Sequence, residues 1–417
     1  MLANENLLLV GPYPPPYGGI SSFITELERG CRDSVKNFHV LHIGDQEASF
    51  VGQGSAKVRR VKARSGLGLR AIFSLPLTHL MKTTLLYVAN FYRGPVLYLS
   101  FLVQAVIIAR YCKENDITAV SIFGTRQGGV IPFLDQLIDI PVCYCVFADP
   151  FKSPDFYERH NRWFTRAFEA ATTVFSSSEY CCKVTKYFSS NLEAEVIYVG
   201  VDTSKFSPEL DSGQSRSRLD ITLSGPIILA VARMEKEMGI HDVLKVAEQI
   251  LRRDQDAGIL IVGARGSETE KVLNFAKRYR GRVTVRTDVP FDDLPLYYSS
   301  SSVVVAPTVG KHACMGVSVK EAMASGKATV VSNSGGLPEA VRDGYNGTVV
   351  AVTEAGTVDI SQFTEAVLTL IKNDGLRRKF GENGRRRAIE IFSSEASVKK
   401  FKTIVKQALA SFERDAT

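Results

Sequence analysis

The chain has 417 residues, 45% hydrophobic and 23% charged, so it is globular and too long for one ordinary core; two domains are expected. Lys and Arg number 51 against 44 Asp and Glu, a net charge of +7. Seven cysteines, an odd count without CxxC or Cys/His spacing, argue against a disulfide framework or structural zinc and predict reduced, mostly buried thiols.

Leu7-Leu8-Leu9-Val10 is a continuous apolar tetrad that runs into a loop of prolines and glycines, after which Ile20, Phe23, Ile24 and Leu27 keep helical spacing. That is strand, loop, helix, with both faces of the strand buried as in a parallel sheet. Gly18-Gly19 in this loop lets a ligand approach backbone N–H groups at a helix start, with Ser21 and Ser22 as further donors. A tight turn with a serine cap explains the same residues. The loop has neither Walker A nor GxGxxG spacing, which argues against a P-loop NTPase and a plain dinucleotide enzyme.

From Val51 to Arg110 there is no Asp or Glu, while Lys57, Arg59, Arg60, Lys62, Arg64, Arg70, Lys82, Arg93 and Arg110 supply nine positive charges. Such a stretch attracts nucleic acid, anionic lipid or a phosphorylated substrate. Large apolar residues lie within it, but Gly94-Pro95 interrupts them, so no transmembrane helix is expected. Leu7 to Val10 is too short for a signal peptide. The expectation is a cytoplasmic chain with peripheral contact on the inner face of the plasma membrane, through about Lys57 to Leu80. Leu99 to Ala109 reads instead as core helix. No basic and aromatic module of a nucleic-acid binder is recognisable, so no nucleic-acid partner is expected.

Further strands are predicted at Ala119–Phe123, Val142–Phe147, Thr172–Ser176 and Ala194–Val199, alternating with helices as in an α/β domain. Glu209 to Ser217 reads as linker or loop. A second series follows at Ile227–Val231, Gly258–Val262, Val283–Val285, Val303–Ala306 and Ala328–Val331, with helices at Ile240–Arg252 and Val317–Ala324 and a last one over about Ser394–Phe412. Two doubly wound domains in tandem imply a cleft facing the carboxyl ends of both sheets, where such folds take ligands.

The sharpest constellation runs from Pro307 to Glu321. A loop containing His312, Cys314 and Met315 leads into Gly316, Val317 and Ser318, whose free N–H groups at a helix start suit a diphosphate. Glu321, about one turn further on, is placed to accept from ribose hydroxyls; an exposed helix glutamate is the plain alternative. Arg233 follows the Ile227–Val231 strand, where a guanidinium can neutralise a departing diphosphate; a surface ion pair is the alternative. Lys236 can assist.

In this order and spacing the residues resemble the GT-B glycosyltransferases, and more narrowly the retaining glycosyltransferase family 4 type. The resemblance runs over nearly the whole chain: Gly18-Gly19, Val199-Gly200-Val201-Asp202, Ala232-Arg233-Met234 with Gly239, Ile261-Val262-Gly263, Pro307, Gly316 with Glu321-Ala322-Met323-Ala324, and Gly335-Gly336-Leu337-Pro338-Glu339. It implies two Rossmann-like domains, over 1–205 and 206–392, with 393–417 returning to the first. The first would hold the acceptor and the second a UDP-sugar or GDP-sugar, with Arg233, Glu321 and Asp149 at the chemistry and no metal required. Three departures fall on polar positions of the family pattern: Ala313 where a sugar-contacting Glu is usual, Met238 where a diphosphate-contacting Lys is usual, and Ala148 where a His often precedes the Asp matching Asp149. Either Lys236, Lys311, His312 or Arg265 rebuilds the donor site, or the chain is a catalytically degenerate partner of another glycosyltransferase. An active enzyme would serve a lipid-linked or lipopolysaccharide-type acceptor in cell-envelope polysaccharide synthesis. A nucleotide-sugar epimerase shares the fold, but the sequence blocks are those of transferases. Base recognition is expected near Arg286 to Val289.

Overall fold

The computed structural model describes residues 2–13, 19–44, 57–62, 78–79, 81, 83, 86–87, 95–310 and 314–415, with 57–62 described by backbone alone. The chain divides into two compact units, Met1–Val199 with Ser397–Thr417, and Gly200–Ala396.

The first unit is built on a seven-stranded sheet in the order β3-β2-β1-β4-β5-β6-β7. Its strands are β1 (Asn6–Val10), β2 (Asn37–Gly44), β3 (Lys57–Lys62), β4 (Ala119–Phe123), β5 (Val142–Val146), β6 (Thr173–Ser176) and β7 (Glu195–Val196). All their pairings are parallel. β1, β4 and β5 are buried along their whole length, as expected for central strands covered by helices on both faces. Two strands depart from the sequence reading. β2 carries His39 and His42 among its apolar residues, which hides the pattern, and His39 is buried with its ring nitrogen 2.9 Å from the Tyr111 hydroxyl. β3, at the sheet edge, is formed by part of the acid-free segment. The rest of the membrane-contact expectation, over residues 63–77 and Leu80, lies outside the described residues.

Pro95, which breaks the apolar run in the sequence, begins a helix, because its fixed φ suits the first helical turn, and the helix Pro95–Glu114 runs for 20 residues. Its length and composition would allow it to cross a membrane. Here Tyr98, Phe101, Leu102, Ala105, Val106 and Ile108 are buried in the core of the first unit, against Trp163, Phe164 and Phe133. From Ser397 on, the helix Ser394–Asp415 belongs to this unit: Phe401 packs on Phe123 and Phe175, at ring-centroid distances of 6.5 and 6.1 Å.

The second unit has a six-stranded sheet, β10-β9-β8-β11-β12-β13, again with every pairing parallel. Its strands are β8 (Ile227–Val231), β9 (Gly258–Gly263), β10 (Val283–Thr287), β11 (Val303–Ala306), β12 (Ala328–Ser332) and β13 (Gly347–Val350). Residues Glu209 to Ser217 are not simply linker: Asp211 caps a short helix over Ser212–Arg218 by accepting from the Gln214 N–H at 2.7 Å. Residues 200–206 belong to this unit, since Val201 bridges to Ser393 and Phe206 packs on Tyr298. The seven cysteines are free thiols, five of them buried.

Candidate functional site

In the second unit the loops after β8, β9, β11 and β12 interlock at the carboxyl ends of the strands. The loop after β8 continues the ladder to β9, with Ala232 N–H to Val262 O and Met234 N–H to Ala264 O, both at 3.0 Å, and Glu268 N–H to Met234 O at 2.9 Å. It ends at Gly239, whose φ of +75° favours glycine. A Cβ there would lie 2.9 Å from Thr308 Cα, so the β8 loop and the β11 loop touch backbone to backbone. The Thr308 hydroxyl donates to Met238 O at 3.2 Å, and the Ser332 hydroxyl, at the end of β12, donates to Thr308 O. The β11 loop then reaches Gly316, with φ +65°, which caps the helix Val317–Ala324 and packs against Leu337.

Arg233 stands in the middle of this assembly. It is exposed, and its guanidinium has no ion pair or hydrogen bond among the described residues. Arg265 is not free in the same way: its Nε lies 3.2 Å from Asp288 Oδ2, and its backbone N–H donates to Asp288 Oδ1 at 3.1 Å. Lys236 is exposed and outside ion-pair distance of every described carboxylate. Among the expected replacements for the lysine missing at Met238, it is the described cation left uncommitted; Lys311 and His312 lie outside the described residues.

Glu321 lies inside the helix Val317–Ala324 and is 5% exposed. The Tyr298 hydroxyl donates to its Oε2 at 2.7 Å. Burial pushes the carboxyl above its ordinary range, against the Tyr298 hydrogen bond and the charges of Lys320 and Lys205, which pull it down. Its Oε1 accepts no hydrogen bond among the described residues, so one lone-pair face remains for a hydroxyl. Among the described residues no group of three or more His, Cys, Asp or Glu is arranged to hold a metal ion.

Residues 211–387 match the family model for glycosyl transferases group 1. The spore coat protein SA of Bacillus subtilis is 26% identical over 234 residues, 53% of this chain and 61% of that protein. A GDP-mannose-dependent alpha-(1-6)-phosphatidylinositol monomannoside mannosyltransferase of Mycolicibacterium smegmatis is 27% identical over 230 residues, 53% of this chain and 58% of that protein. The chain thus spans about six tenths of the length of these curated relatives. A sucrose-phosphate synthase of Thermosynechococcus elongatus matches in structure over 98% of this chain and all of its own, with a TM-score of 0.75 at 17% identity. HepE of Anabaena, solved in complex with UDP and glucose, matches over 97% of this chain and all of its own with a TM-score of 0.72 at 14% identity. The chain has the GT-B glycosyltransferase fold, and its residues 211–387 are similar to the group 1 glycosyl transferases.

The structure sorts the residues singled out by sequence. Arg233, Lys236, Gly316, Val317 and Ser318 lie in the interlocked loops and are at least partly exposed, as is Cys314. Met315 is 4% exposed and turned into the packing, so it supports the loop rather than a ligand. Arg286 donates to the carbonyls of Leu219 and Asp220 at 3.4 and 3.2 Å, tying β10 to the chain before β8. In the first unit Gly18 lies outside the described residues, and Gly19 opens the helix Gly19–Cys31 with no atom within 4 Å of where a Cβ would stand. Ser21 is only 2% exposed, on the inner side of that helix, and so is not an open donor. Ala148 is buried, and Asp149 follows it at the start of a short helix after β5. Tyr298 was not anticipated: it lies 23 residues from Glu321, and no local spacing announces the pair.

Proposed function

We propose that the chain is a glycosyltransferase that moves a sugar from a UDP-sugar or GDP-sugar, with retention, to a membrane-associated glycan or glycolipid acceptor in cell-envelope polysaccharide synthesis. The observation that carries this reading is the uncommitted Arg233 guanidinium set among the interlocked loops that lead to the Gly316 helix start. A developing diphosphate charge is stabilised by groups that are fixed beforehand and need no reorganisation, and here hydrogen-bonded loops hold the arginine. Arg233 and the N–H groups after Gly316 would meet the diphosphate, Lys236 would replace the lysine absent at Met238, and the Glu321 Oε1 would accept from the ribose. No metal is required where fixed cations and a helix start already supply positive charge.

The acceptor is assigned to the first unit, where Asp149 lies after β5. An anionic membrane as its address is supported by the acid-free run from Val51 to Arg110. In the same run Met81 and Val96 are 65% and 81% exposed. Basic side chains beside exposed apolar ones suit an anionic headgroup layer.

The test is incubation of the full chain with a panel of UDP-, GDP- and ADP-sugars, reading binding, hydrolysis and transfer in the wild type, Arg233→Ala and Glu321→Ala. Transfer lost in both variants supports the reading, and unchanged rates in both would sink it. Binding without turnover in the wild type assigns the chain instead to a catalytically degenerate partner, the reading that Ala148, Met238 and Ala313 favour. For the membrane, neutralising Arg59, Arg60, Lys62 and Arg64 together should abolish co-sedimentation with anionic liposomes; undiminished binding removes that address.

A further inference from the structure

The loops after β4 and β5 of the first unit hold a second polar group, outside the unit that carries Arg233 and Glu321. Thr125 ties the two loops together. Its hydroxyl donates to Phe147 O at 2.7 Å and accepts from Phe147 N–H at 2.8 Å, and its carbonyl accepts from the Tyr144 hydroxyl at 2.7 Å. Asp149 stands two residues after Phe147, and burial raises its carboxyl above the ordinary range, against the nearby Lys152 charge, the Thr125 backbone and the Arg126 charge. Arg126, the next residue, is exposed; its guanidinium stands 4.8 Å from the centre of the Phe156 ring and has no ion pair among the described residues.

Tyr157 completes the group. Its side chain is buried, at 2% exposure for the residue, and its hydroxyl has no hydrogen-bond partner among the described residues. Asp149 and Arg126 are both close enough to act on that hydroxyl electrostatically, after the burial that mainly raises its pKa. A buried hydroxyl left without a partner is unfavourable, and such groups persist where a ligand or an ordered water satisfies them. Beside it are a carboxyl able to accept from a hydroxyl and an arginine over an aromatic ring with no ion pair among the described residues. A guanidinium fork matches a phosphate better than it matches a neutral sugar.

We propose that Arg126, Asp149 and Tyr157 form the acceptor-binding subsite of the first unit, and that the acceptor carries a phosphate. Arg126 binds the phosphate, while Asp149 and the Tyr157 hydroxyl orient a neighbouring acceptor hydroxyl. This assignment rests on the transferase reading above and adds to it the chemical class of the acceptor. A phosphate can arrive on a soluble sugar or on a lipid headgroup, and the two sources are separable.

The experiment is equilibrium binding to the full chain without nucleotide. Glucose 6-phosphate is compared with glucose, and phosphatidylcholine vesicles containing phosphatidic acid with phosphatidylcholine alone. The wild type should prefer one phosphorylated probe over its neutral counterpart, and Arg126→Gln should lose about tenfold or more of that preference. Preference for glucose 6-phosphate assigns a soluble phosphosugar, and preference for the vesicles a lipid-borne phosphate. Tyr157→Phe should weaken the same binding about threefold to tenfold without lowering Tm, since it removes an unsatisfied group; a merely structural hydroxyl would not move binding. UDP and GDP binding, measured in parallel, should be the same in both variants as in the wild type. No phosphate preference in the wild type, or one that Arg126→Gln retains, overturns the subsite even where nucleotide binding is intact. Absent nucleotide binding in the wild type overturns the donor reading instead.

Discussion

Glu321 in the second unit and Asp149 in the first are both carboxyls raised above their ordinary range chiefly by burial, and each stands near a buried tyrosine. The two tyrosines differ. Tyr298 donates to Glu321 at 2.7 Å, closing that pair, whereas the Tyr157 hydroxyl has no partner among the described residues. The cations differ too: Arg233 sits in loops braced by backbone hydrogen bonds, while Arg126 rests on an aromatic ring. One site has one carboxyl oxygen bonded from within and an uncommitted cation outside it. The other has an unsatisfied hydroxyl at its centre. The contrast suits a donor site that is formed in advance and an acceptor site that is completed by its ligand.

The largest expected effect is at the braced cation. Arg233→Ala should lower transfer roughly a hundredfold to a thousandfold, the usual loss when a fixed electrostatic stabiliser is removed. Its exposure means that Tm should hold, so kcat and thermal unfolding measured together separate chemistry from folding. A variant that unfolds early would remove the contrast between braced loops and a free side chain.

The tyrosines come next. Tyr298→Phe strips the donor from a buried carboxyl and should destabilise the protein by about 1–3 kcal/mol, read from denaturant midpoints. Tyr157→Phe should not destabilise it. Equal losses in the two variants would contradict the distinction between a closed pair and an open one.

The pH dependence is smaller and has a fixed sign. A carboxyl whose folded pKa is raised holds its proton more tightly in the folded state, so its contribution is fully present below the unfolded pKa and falls as pH rises through the folded one. Unfolding midpoints should therefore decline as pH rises above the ordinary Glu and Asp values of 4.5 and 3.8, and Glu321→Gln should flatten its share of the decline. An unchanged slope in Glu321→Gln would show that its burial carries no proton linkage.

The smallest effect belongs to Arg265. Its ion pair with Asp288 is exposed on both sides, so Arg265→Ala should change stability by about 0–1 kcal/mol. Its loss of donor affinity should also be smaller than that of Arg233→Ala.

Much of the fold was legible because buried parallel strands are short apolar runs: β4, β8 and β11 occupy the predicted residues, as does the helix Val317–Ala324. β2 was not legible, because two histidines interrupt its pattern and one meets a tyrosine 72 residues away. β3 reads as charge, and β13 is only four residues long. At the candidate site, the strand-to-loop grammar was enough to place Arg233 and Gly316 among the interlocked loops. It could not tell that Ser21 and Met315 turn inward, since a helix or loop does not declare which residue faces the core. Nor could it find the partner of Glu321, Tyr298, which comes from another element of the fold.

The most direct single measurement is titration of UDP and GDP into the wild-type chain and into Arg233→Ala. Retaining transfer from a nucleotide-diphosphate sugar predicts that one of the two nucleotides binds the wild type and binds the variant at least about tenfold more weakly. Equal affinity in both proteins, or no binding of either nucleotide to the wild type, would contradict it.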